Sequence, residues 1–114
     1  MQKFVKTLNL SWDALQEEIC TITSDFRKVS ESLFFAKSGE KVLVQVYQKF
    51  YYRLLSTDLL TLMLIETDDS ITLKAIGAPT YQGLLKIRQR KESCIKEEFT
   101  KRFEKNEILL KSAV

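Results

Sequence analysis

Hydrophobic positions between Val42 and Ile76 fall into three runs separated by polar breaks, and the middle run has no polar face. A strand of a half-exposed sheet alternates apolar with polar residues, because successive side chains point to opposite faces. In residues 59–66, Leu60, Leu62 and Leu64 point one way, and Leu59, Met63 and Ile65 point the other. Both faces need a cover. The chain's own helices are expected over one. Over the other the pattern admits a partner chain, an apolar ligand, or Leu33 and Phe35 closing in from the ends of the sheet.

The neighbouring runs are strands of the ordinary kind. Residues 41–53 put Val42, Val44, Val46, Phe50 and Tyr52 on one face, with Gln48 among them. Leu43, Gln45, Tyr47, Lys49, Tyr51 and Arg53 lie on the other. Residues 71–76 alternate, residues 30–36 can extend, and residues 4–10 alternate weakly as a first strand. Gly39 within residues 37–40 supplies the positive φ of a hairpin turn. Residues 54–58 and 67–70 read as two more turns. Ser11 looks like an N-cap, followed by Trp12, Leu15, Ile19, Ile22 and Phe26 at helical spacing, which predicts a helix of about four turns. Residues 77–83 hold two of the three glycines and the only proline, and so read as a loop. Residues 84–88 have room for one more short strand beyond these five. A last helix begins near 90–93 and carries Ile95, Phe99 and Phe103 four apart; residues 108–114 extend or fray it.

The resulting order is β-α-β-β-β-β-α: a single α+β domain over 1–114, with an antiparallel meander and both helices packed on one sheet face. The segment Val46-Tyr47-Gln48-Lys49-Phe50-Tyr51-Tyr52-Arg53, the break at Asp68-Asp69-Ser70 and the pair Ile76-Gly77 before a small-residue loop carry a resemblance. Over residues 33–103 the chain resembles a family of short uncharacterised bacterial proteins, a domain of unknown function with an aromatic-rich sheet and a C-terminal helix. Ala78-Pro79-Thr80-Tyr81 departs from the denser glycine and serine loop expected there. The order of elements is also similar to the TATA-binding-protein-like and helix-grip folds. These likenesses imply a fold rather than an activity.

Composition narrows the chemistry. With 114 residues, 45% of them hydrophobic and 29% charged, the chain can bury a core without cross-links. The net charge of +3 permits an anionic partner without arguing for one. Cys20 and Cys94 are expected to be reduced and partly buried, although helices lying side by side would allow a bridge. No signal-like apolar stretch opens the chain, and residues 59–65 fall far short of a membrane span, so a cytoplasmic location is expected.

The absence of histidine removes Ser–His and Cys–His nucleophile pairs and the commonest metal ligand. Three glycines cannot write a phosphate-binding loop. The carboxylate pairs Asp68-Asp69 and Glu97-Glu98 read as a turn and a solvated helix surface. The sequence thus points away from an enzyme, and to no cofactor or metal. Tyr47, Lys49, Tyr51 and Arg53, with Lys86, Arg88 and Arg90, could stack and neutralise a single-stranded nucleic acid, but the short patch reads more simply as a solvated sheet face. Tyr81 is the natural contact residue if the 77–83 loop binds something; otherwise Pro79 and the glycines only turn the chain. The expected function is therefore binding, first as a homodimer or with another protein through Leu59, Met63 and Ile65. An apolar small-molecule binder of helix-grip type comes second and single-stranded nucleic-acid binding third.

Overall fold

The computed structural model describes residues 2–52, 55–68, 70–81 and 94–112. They form β1 (Gln2–Leu8), α1 (Trp12–Ile22), β2 (Arg27–Phe35), β3 (Lys41–Tyr51), β4 (Ser56–Glu66), β5 (Ile71–Tyr81) and α2 (Cys94–Ser112). One antiparallel sheet of five strands runs in the order β1-β5-β4-β3-β2. The meander is therefore β2 to β5, and β1 adds to the far side of β5. This is the α+β architecture that the hydrophobic pattern predicts.

Local chemistry sets most boundaries. Ser11 caps α1, its Oγ accepting from the Ala14 amide at 3.2 Å. The helix ends a turn earlier than the apolar spacing predicts. Thr23 turns its hydroxyl back onto the Ile19 carbonyl at 2.7 Å, and its amide bonds the same oxygen. Phe26 stays buried outside the helix, edge-on to the Tyr47 ring. Gly39 takes φ +93° between β2 and β3, as its position in the turn requires.

Two strands are longer than their turn-forming residues imply. Ser56 and Asp58, read from sequence as part of a turn, belong to β4, and the chain reverses at Leu55 with φ +46°. Gly77 to Tyr81, read as a loop, continue β5 and pair with Ser56 to Leu60 of β4. β1 covers the other edge of β5 only as far as Gly77. Pro79 sits beyond that limit, where the missing N–H costs no ladder bond. The expected strand over 84–88 lies outside the described residues.

Both helices cover one face of the sheet. Leu15, Ile19 and Ile22 of α1 and Ile95, Phe99 and Phe103 of α2 form one cluster with Tyr47, Leu60, Leu62, Leu64 and Leu73. The Phe99 and Phe103 rings stack with centroids 5.9 Å apart. Cys20 and Cys94 form no disulfide; Cys94 is half-buried, but Cys20 is exposed, contrary to the partly buried position expected of it.

Candidate interaction surface

The strand register fixes which side chains share the uncovered face. Val42 stands opposite Ile65, Val44 opposite Met63, Val46 opposite Thr61 and Gln48 opposite Leu59. On β5, Thr72, Lys74, Ile76 and Ala78 complete these rows. Val44, Val46, Leu59, Met63, Ile65 and Ile76 each keep part of their surface open to solvent. Phe50 is more open, and the exposed Tyr52 ring packs edge-on against it at 4.9 Å. The two-faced middle strand is thus β4: its even positions are sealed beneath the helices, and no helix covers its odd ones.

The face has an apolar centre and partly polar margins. The centre runs along β3 and β4. Ser30 and Ser32 of β2 bound it on one side; on the other, Thr72 and Lys74 of β5 and Thr7 of β1 are interrupted by Ile76 and the exposed Val5. Recognition surfaces are commonly built this way, with a desolvated core inside a polar rim. Leu33 and Phe35 cannot close over it. Leu33 pairs with Leu43 and Phe35 with Lys41, which puts both on the helix side. Phe34, opposite Val42, is the β2 residue that extends the apolar centre.

The aromatic and basic row on the other face of β3 lies against the helices and not in solvent. Tyr47 is 3% exposed and donates to Gln45 Oε1 at 3.1 Å. Gln45 in turn donates to Glu31 at 2.6 Å. Burial pushes the Tyr47 phenol up from its ordinary value. A ring held this way cannot stack on a base, which removes the central contact of the nucleic-acid reading.

Lys49 and Tyr51 are tied into a network that staples α2 to β3 and to the chain end of α1. Lys49 donates to Asp25 at 2.9 Å and to both Glu98 oxygens at 3.0 Å, and Tyr51 donates to Glu98 at 2.7 Å. Arg102 bonds Asp25 through both terminal nitrogens, as well as Glu98 and the Ile22 carbonyl. The guanidinium of Arg102 holds the Asp25 carboxyl far below the usual carboxylate range. Burial, then Glu98, raises Tyr51 strongly. Burial alone would depress Lys49, but Asp25 and Glu98 more than offset it. Glu98 is therefore a cross-link between elements, and not the solvated residue its helical position implies. An open hollow of about 460 Å³ is lined by Asp25 and Arg102, which are paired with each other, and by Thr21, Ser24, Lys105 and Asn106.

Asp58 is the residue that sequence reasoning missed. It is fully buried in β4 and accepts from the amides of Cys94 at 2.8 Å and Ile95 at 3.3 Å, the start of α2. Ser56 donates to its other oxygen at 3.1 Å. An Asp two residues after a Ser also has the chemistry of a turn, so only its odd company inside an apolar strand could have signalled a cap. Arg53 lies outside the described residues. Tyr81 pairs with Ser56 at the end of β5, and its side chain is likewise outside them. The structure therefore gathers Leu59, Met63 and Ile65 on one face and separates them from Tyr47 and Tyr51 on the other.

Between helices and sheet the space is filled by Phe99, Phe103, Ile95, Leu60 and Leu62, none with exposed surface. No described helix is long and apolar enough to cross a membrane. Residues 1–107 match the model of a protein family described as a family of unknown function (DUF6054). No curated protein and no solved structure matches the chain.

Proposed function

The chain belongs to this family of unknown function, and from its geometry we propose that it is a non-enzymatic interaction domain whose open sheet face pairs two copies. The observation that carries the reading is the apolar centre along β3 and β4, which no described helix covers. Five strands about 4.8 Å apart and about nine residues long present a face of roughly 700 Å². A stable interface takes about 800 Å² from each partner. One face of this sheet is thus the size that a self-complementary dimer uses.

Two such faces can stack as the layers of a β-sandwich, with side chains interdigitating across about 10 Å. A twofold axis through the centre puts Val44, Met63 and Ile65 against their equivalents. Lys74 of β5 and Arg27 of β2, opposite Gln48, are the charged side chains described on that face, and each keeps its hydration away from the centre. The filled interior gives the helix-grip alternative no comparable support.

Glutamate at Met63 or at Ile65 tests the reading, because each position points away from the packed core. Either Met63→Glu or Ile65→Glu is expected to halve the native mass with an unchanged circular dichroism spectrum. If the native mass of both variants equals that of the parent chain, the face is not the interface. Loss of the folded spectrum in both would make these residues core and also refute the reading.

A further inference from the structure

We propose a second pairing surface, independent of the open face: the outer edge of β2, which a second copy's β2 joins in antiparallel register to make a continuous ten-stranded sheet. β2 is the last strand of the sheet. Alternate residues of any strand direct their N–H and C=O groups to the same side, so half of those on β2 point away from β3. All nine of its residues are exposed. Phe35 is 68% exposed, Leu33 55% and Phe34 49%, on both sides of the strand.

Edge strands in natural proteins are normally guarded by lysines, prolines, bulges or cover. The two ends of β2 differ in this respect. Its N-terminal half has Arg27, Lys28, Glu31 and a register shift between Lys28 and Ser30. Its C-terminal half, Ser32-Leu33-Phe34-Phe35, has no charge, no proline and no bulge. The opposite edge of the sheet, β1, carries lysines at positions 3 and 6. The unguarded edge is therefore local and strongly β-forming.

A second copy fits this edge because the half-strand is complementary to itself. In an antiparallel pair, residues directly opposite share a face. A twofold axis at Phe34 sets Phe34 against Phe34 of the second copy, and Leu33 against Phe35, on the two respective faces. All three exposed apolar side chains are then matched with apolar ones. The axis is perpendicular to the sheet, so the helices of both copies stay on one side and the open faces on the other. Phe34 joins the two apolar centres into one surface. Used together with face pairing, two perpendicular twofold axes that intersect close the assembly as a tetramer.

Leu33→Lys combined with Phe35→Lys tests this pairing. Both positions lie on the helix side, so the open face is untouched, and both are exposed, so the fold tolerates the change. The native mass of the double variant is expected to fall to half that of the parent chain. An unchanged mass overturns the edge pairing. Met63→Glu reports separately on the open face, so failure of one surface is read apart from failure of the other. Hydrogen exchange on the parent chain gives a second test that needs no variant. The amides of Leu33 and Phe35, which point away from β3, are expected to gain protection as protein concentration rises, whereas exchange independent of concentration refutes the proposal.

Discussion

A phenol buried beside a carboxamide, as at Tyr47, makes the protein sensitive to base. The Tyr47 and Tyr51 phenols are both raised above the ordinary tyrosine value of about 10. A group raised in the folded state contributes stability that is complete below its unfolded pKa and is lost as pH climbs above it. Melting temperature is therefore expected to drop above about pH 10. Tyr47→Phe should make that drop shallower while costing about 1 kcal/mol at neutral pH, because Gln45 loses a donor. Melting curves across the alkaline range check this, and equal slopes in parent and variant would refute it. The same residue shows what a sequence hides. Tyr47, Lys49 and Tyr51 alternate like a solvated row, yet their polar ends are met by Gln45, Asp25 and Glu98 from other parts of the chain. Residue type reveals the need for a polar partner but not whether water or protein supplies it.

At the scale of elements, α2 depends on β4 for its start. Asp58 satisfies two amides that a helix N-terminus leaves without intrahelical partners. Asp58→Ala is expected to cost about 1–3 kcal/mol and to weaken protection of the first turn of α2. Denaturant unfolding measures the first effect, and an unchanged midpoint would show that the cap is dispensable. Periodicity made most elements legible: the α1 stripe as far as Ile22, the Gly39 turn, the two-faced β4 and the Ile95, Phe99, Phe103 face of α2 are found where the spacing puts them. Punctuation was less reliable. Gly77 and Pro79 read as loop because nothing local reveals that β1 stops at Gly77 and leaves β5 an edge tolerant of proline. Ser56 and Asp58 read as turn for the same reason: their role is set by a helix 36 residues away. Of the candidate surface, Leu59, Met63 and Ile65 were visible from alternation alone. Phe34 was not, since its face follows from the bulge and register of β2.

The whole molecule is a slab 21 Å in its thinnest dimension, two layers in which no described helix covers the second sheet face. Pairing through that face would couple stability to concentration, because only the folded chain presents it. The melting temperature is expected to rise by roughly 2–5 °C for each tenfold increase in protein concentration. Met63→Glu should flatten that dependence, and a flat parent curve would argue against association. The strand order has one more consequence, and it concerns time. β2, β3, β4 and β5 each meet a neighbour that directly follows or precedes them, so the meander can assemble from close contacts as the chain emerges. β1 is made first but pairs last, since Gln2 must find Gly77 and Leu8 must find Ile71. Such long loops close slowly. The first strand thus works as a late clasp: until β5 is complete, Phe4 and Leu8 have no sheet to join, and their apolar side chains wait uncovered.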